Sequence, residues 1–134
     1  MKTPQSFYIV DDDTIFHYLT KRIIHEIYTQ SKISSFLNGE EALAALSLAL
    51  KLKQVMPDVI FLDIAMPIMD GWQFMDQYSL LQPELAQPIT IYMVSSSIDR
   101  RDEARAGDIK HLSGYVVKPV TKAMFLTMIQ NYAS

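Results

Sequence analysis

The chain has 134 residues, 49% hydrophobic content, a net charge of −3 and no cysteine, enough for one domain that buries ~70% of its unfolded surface. Mild acidity without a Lys/Arg run argues against a nucleic-acid footprint, and the absence of thiols excludes disulfides and thiolate metal sites. Met1 to Ser6 lack a signal peptide's apolar stretch and no run reaches the ~20 apolar residues of a membrane span, so we expect a cytoplasmic protein without membrane contact, a single domain over residues 1–134 and no separate output domain.

Phe7-Tyr8-Ile9-Val10 predicts a short strand that runs straight into Asp11-Asp12-Asp13. From Thr14 the period changes. Ile15, Leu19, Ile23 and Ile27 recur every four residues, which predicts an amphipathic helix to about Tyr28, capped by Asp13 or Thr14. Lys32 to Phe36 predicts a second strand, and Asn38-Gly39 the turn into a helix from about Glu40. That helix is apolar on more than one face, with Leu46 and Leu50 on one side and Leu48 and Leu52 on another, so it presents a sticky outer surface. The third strand, Val59 to Leu62, is an apolar run between Pro57 and Pro67 that reads as buried on both faces and ends at Asp63. Met69-Asp70-Gly71 leads into a helix carrying Trp72, Met75 and Tyr78. Ile89 to Val94 predicts a fourth strand ending in Ser95-Ser96-Ser97. The next helix, from about Asp99 to Ala106, is poor in large apolar residues and is stopped by Gly107, so it should be the least firmly docked. Gly114-Tyr115-Val116-Val117 makes a fifth strand that ends at Lys118-Pro119, and Met124, Phe125, Met128, Ile129 and Tyr132 line a final helix.

Five strands alternating with five helices imply a doubly wound α/β domain around a parallel sheet. In such a sheet the carboxyl ends of the strands collect in one crevice. Asp11, Asp12, Asp63, Ser95 and Lys118 all stand at those ends. Three carboxylates held together repel, and a hard divalent cation with oxygen ligands stabilises the set; Mg2+ fits best, because it accepts one or two carboxylates, a carbonyl and water, and bridges to a phosphoryl oxygen. A carboxylate can itself be a nucleophile and form an acyl phosphate. Lys118 and the metal would neutralise the arriving phosphoryl group, and the Ser95 hydroxyl could donate to one of its oxygens.

The segments Tyr8 to Asp13, Ile60 to Gly71 and Gly114 to Pro119 resemble the receiver domain of two-component response regulators, in particular the stand-alone receivers of the chemotaxis type. The resemblance covers nearly the whole chain. It implies a flavodoxin-like, five-stranded sheet of order 2-1-3-4-5, Asp63 as phosphoacceptor, and Mg2+ held by Asp11, Asp12, Asp63 and the main-chain carbonyl of Ala65. It also implies Ser95 as the switch hydroxyl, Tyr115 as the aromatic switch residue, Lys118 as the phosphate-binding lysine, and a cis bond before Pro119. The implied partners are a sensor histidine kinase or histidine phosphotransfer protein and a downstream effector, with weak homodimerisation on phosphorylation, no direct nucleic-acid contact and no enzymatic activity beyond the domain's own phosphorylation and dephosphorylation. On phosphorylation, the face formed by the fourth helix, fifth strand and fifth helix is expected to change shape. Serine stands where threonine is common, Ala65 lacks the polar side chain often found there, and Asp13 is read as a helix cap.

Two rival readings of Asp11-Asp12-Asp13 are weaker. An Asp-x-Asp phosphohydrolase needs a further acidic ligand late in the chain, and no Asp or Glu follows Asp108. A flavin carrier of the same fold class needs a hydroxyl- and glycine-rich phosphate loop after the first strand, where this chain has acids that repel phosphate.

Overall fold

The computed structural model describes residues 3–133. Its elements run β1 (Ser6–Val10), α1 (Thr14–Ile27), β2 (Lys32–Phe36), α2 (Gly39–Lys51), β3 (Val59–Leu62), α3 (Gly71–Leu81), β4 (Thr90–Ser95), α4 (Arg100–Gly107), β5 (Gly114–Val117) and α5 (Lys122–Ala133), with a short 3-10 turn at Gln82–Glu84. The strands form one parallel sheet in the order β2-β1-β3-β4-β5. This is the expected doubly wound, flavodoxin-like arrangement.

Strand alternation divides the core in two. Phe7, Ile9, Val59, Phe61, Tyr92 and Val94 face one way, against Ile24 of α1 and Phe125, Met128 and Ile129 of α5. Tyr8, Val10, Ile60, Leu62, Ile91 and Met93 face the other, against Ala42 and Leu46 of α2 and Phe74 and Tyr78 of α3. β1 and β3 are buried throughout, because each is apolar at every position from Phe7 or Val59 onward and is covered on both faces. The register pairs Val10 with both Phe36 and Leu62, and Leu62 with Met93, while Ser95 pairs with Val117. The strands therefore end nearly level, and the residues just beyond them share one edge.

α1 packs through a stripe different from the expected one. Its buried residues are His17, Thr20 and Ile24, whereas Ile15 is 68% and Leu19 50% exposed. Residues repeating strictly every four drift by about 40° per step around a helix of 3.6 residues per turn, so the Ile15–Leu19–Ile23–Ile27 row cannot stay on the sheet along its length. α4 buries only Ala106 of its own length. Polar contacts anchor it instead: the Arg105 guanidinium lies 4.3 Å from the Trp72 ring centroid, and Asp99 caps its start by accepting from the Arg101 N–H. No helix among the described residues is long and apolar enough to cross a membrane.

Candidate functional site

The parallel ladder extends one residue past the strands and sets two aspartates side by side. The Asp11 N–H donates to the Phe36 carbonyl at 3.0 Å and the Asp63 N–H to the Val10 carbonyl at 2.9 Å. Asp11 is fully buried. Its Oδ1 accepts from the Asp13 N–H at 2.8 Å and its Oδ2 from Lys118 Nζ at 2.7 Å. The same ammonium lies 4.5 Å from the centroid of the Phe16 ring, a contact that nothing in the sequence announces. Asp63 is 8% exposed, and its Oδ1 accepts from the Ile64 N–H at 2.8 Å. Asp12 is exposed, yet one carboxylate oxygen from each of Asp11, Asp12 and Asp63 falls within 4.8 Å of the others. Asp13 stays outside the cluster and caps α1, its Oδ1 accepting from the N–H groups of Ile15 and Phe16.

Burial raises the Asp63 pKa from 3.8 to about 7, helped by the Asp11 carboxylate and to a lesser degree by Asp12, while Lys118 and the Ile64 N–H pull it down. A buried carboxylate beside two others is a poor anion until positive charge arrives. The donor set of three carboxylates, two buried and one open to solvent, suits a hard cation that retains part of its water shell, so these residues fit Mg2+. Ala65, exposed two residues beyond Asp63, adds a main-chain carbonyl to the groups that could hold it.

The loop after β3 is pinned by two glycines. A Cβ on Gly71 would collide with the Asp63 carbonyl oxygen, and one on Gly39 would come within 2.9 Å of the Met69 main chain. The Gly39 N–H donates to Met69 O at 2.9 Å and the Gly71 N–H to Ile64 O at 2.8 Å. Between them Ile68 takes φ 71°, with the Met69 N–H donating across it to Pro67 O at 2.8 Å. This is the rare, strained form of three-residue turn, and it is held by a β-branched side chain that is 73% exposed. Ile68→Gly should therefore raise stability by about 1 kcal/mol: relief of ~1–3 kcal/mol of backbone strain less the glycine's greater unfolded-state entropy. A lower urea midpoint in the variant would show that the turn is not strained.

At the end of β4, Ser95 is buried, its Oγ accepts from the Ser97 N–H at 3.1 Å and its carbonyl accepts from the Lys118 N–H at 2.8 Å. Tyr115, half-buried on β5, donates its hydroxyl to Ser97 O at 2.9 Å. Ser97 Oγ in turn donates to Asp102 Oδ2 at 2.6 Å and accepts from the Asp99 N–H at 3.2 Å. The crevice hydroxyl, the edge-strand tyrosine and the start of α4 thus meet at Ser97. Sequence reasoning did not single out this residue, and its place in a serine run is the only signal it carries. The Lys118-Pro119 bond is cis, as expected. Of the site residues foreseen, Asp11, Asp12, Asp63 and Lys118 come together directly. Ser95 closes the neighbouring strand, and Tyr115 is linked to it through Ser97.

The family of response regulator receiver domains matches residues 7–130. The chain belongs to that family. It is therefore a domain of two-component signal transduction, in a family whose members accept a phosphoryl group on an aspartate. The two-component response regulator from Cytophaga hutchinsonii superposes with a TM-score of 0.87 at 27% identity, covering 98% of each chain. The CheX-CheY-BeF3-Mg2+ complex from Borrelia burgdorferi gives a TM-score of 0.80 at 22% identity over 98% of this chain and 91% of that one, a likeness of fold. Among curated relatives, the protein-glutamate methylesterase/protein-glutamine glutaminase 2 of Pseudomonas aeruginosa is 36% identical over 101 residues, 75% of this chain. The receiver spans only 26% of that protein, and 40% of a response regulatory protein of Vibrio cholerae to which it is 28% identical.

Proposed function

We propose that Asp63 is the phosphoacceptor and that it takes its phosphoryl group from a phosphohistidine on a sensor histidine kinase or histidine phosphotransfer protein. One Asp63 carboxylate oxygen forms the new O–P bond as the P–N bond to imidazole breaks, and the departing imidazole recovers a proton. Asp11, Asp12, Asp63 and the Ala65 carbonyl hold Mg2+, which when bound supplies positive charge that favours ionised Asp63 and offsets the phosphoryl oxygens. Lys118, an ammonium already seated at the cluster, neutralises further charge on the incoming group. The Ser95 hydroxyl uses its lone pair on Ser97 and keeps its proton to donate to a phosphoryl oxygen. The chemistry ends with the domain's own phosphorylation and dephosphorylation, and its output is an altered contact with a downstream effector protein.

The observation that carries this reading is Asp63 itself: a buried carboxylate at a strand end, raised to about 7, with two carboxylates and an ammonium around it. The pairing of BeF3 with Mg2+ in the Borrelia complex supports it. The test is incubation with acetyl phosphate. Acid-stable, base-labile phosphate should appear only with Mg2+ and map to Asp63. Label on another residue, or incorporation that persists in EDTA, would overturn the assignment.

A further inference from the structure

His17 is the buried histidine of α1, which the phosphoryl chemistry leaves unused. It lies on the sheet-facing stripe of α1, 6% exposed, with Nε2 2.7 Å from the main-chain carbonyl oxygen of Asp11. A carbonyl only accepts, so the ring carries a proton on Nε2. Nδ1 is buried without any hydrogen-bond partner among the described residues. An apolar side chain would pack the helix on the sheet and leave no such orphan. What imidazole adds at this position is a donor aimed at one carbonyl.

That carbonyl belongs to the peptide joining Asp11 to Asp12. Because the peptide is planar, holding its oxygen fixes the direction in which the chain enters Asp12. Asp11 has other restraints: its N–H bonds to Phe36, and its carboxylate is held by the Asp13 N–H and by Lys118. Asp12 has no hydrogen bond on its side chain among the described residues, yet its carboxylate stands with those of Asp11 and Asp63. The backbone beneath it must therefore do the aiming.

We propose that His17 is a positioning residue for the cation site, its Nε2–H holding the Asp11–Asp12 peptide so that the Asp12 carboxylate faces Asp11 and Asp63. The inference rests on reading those three aspartates as Mg2+ ligands. Groups that orient ligands in this way typically govern affinity for the ion. Thr20 supplies the comparison, since it is buried on the same stripe and bonds to neither aspartate.

The experiment is an Mg2+ titration followed by amide NMR shifts on the parent, His17→Leu, His17→Gln and Thr20→Val, with the imidazole tautomer of the metal-free parent read from long-range proton–nitrogen correlations. His17→Leu should bind Mg2+ about tenfold more weakly. His17→Gln, which keeps a side-chain N–H donor, should recover most of that loss, and Thr20→Val should leave affinity unchanged. If the leucine variant does not fold, His17→Met carries the same expectation. Parent-like affinity in the apolar variant would overturn the proposal and leave the metal site standing, and equal weakening in Thr20→Val would overturn it by exposing a general effect of helix docking. A parent that binds no Mg2+ would overturn the metal reading and the proposal together. A parent ring protonated on Nδ1 alone would overturn the proposal whatever the variants do.

Discussion

Asp63→Asn is expected to end phosphate incorporation and, in the metal-free protein, to raise stability by several kcal/mol at pH 8. An amide is neither anionic nor able to form an acyl phosphate, which accounts for the first effect. The second follows from proton linkage. In the unfolded chain Asp63 releases its proton near 3.8, whereas the folded protein holds it up to about 7. Well below pH 3.8 both states are protonated and the site costs nothing. Between the two values the folded state binds more protons than the unfolded one, so stability falls as pH rises; above about 7 both are ionised and the penalty is complete. A gap of about three pH units at ~1.4 kcal/mol for each amounts to roughly 4 kcal/mol. Asparagine, neutral throughout, escapes it. The stability gap between Asp63→Asn and the parent in EDTA should therefore be under about 1 kcal/mol at pH 4, widen through pH 6 and level off by pH 8. Mg2+ should narrow the gap, since it stabilises the parent's carboxylate cluster more than one in which an anion is missing. A gap that stays flat across this pH range would show that Asp63 is not disfavoured as an anion, and would remove the electrostatic case for a cation at this site.

The architecture was legible because its causes are local. Val59 to Leu62 is apolar at every position, and only a strand covered on both faces tolerates that pattern at such a length. Once five strands alternate with helices, topology alone brings Asp11, Asp63, Ser95 and Lys118 to one edge. The misplaced stripe of α1 has the opposite cause. Its buried face carries His17 and Thr20, polar residues that a search for apolar periodicity passes over, while Ile15 and Leu19 point outward. Ile68 was hidden for a conformational reason: nothing in Pro67-Ile68-Met69 marks a positive φ, which its β-branched side chain disfavours. α4 did read as short of apolar anchors, but its fastening through Arg105 on Trp72 and Ser97 on Asp102 depends on side-chain directions across separate elements. Lys118 shows the same limit. Its position at the crevice followed from the strand end, whereas its pairing with Asp11 depends on the reach of a four-carbon stem.

Ser97→Ala is expected to separate phosphorylation from its effect on α4. If the Ser95 hydroxyl is drawn to a phosphoryl oxygen, the Ser97 N–H that now bonds to it is released, and the backbone of residue 97 is free to shift. That shift has two outlets. The Ser97 carbonyl carries the Tyr115 hydroxyl, and Ser97 Oγ carries Asp102 on α4. Moving a population from 1:99 to 99:1 takes ~5.5 kcal/mol of differential binding, more than the ~1.5–3 kcal/mol of a single hydrogen bond to a charged group. On the proposed reading Ser95 would therefore act with Lys118 and Mg2+, and every linkage that transmits the shift counts. Alanine at 97 keeps the carbonyl and the N–H but removes the 2.6 Å bond to Asp102, so Tyr115 should still respond and α4 should not. With beryllofluoride and Mg2+, amide NMR shifts around Asp63, Lys118 and Tyr115 should persist in the variant while those over residues 100–107 fade. Without the ligand, amide protection in α4 should drop by roughly tenfold or more, as loss of a charge-assisted bond of that strength implies. Undiminished shifts across α4 in Ser97→Ala would mean that the helix is moved through Tyr115 or the Arg105–Trp72 contact, and that the hydroxyl of Ser97 only caps the loop before it.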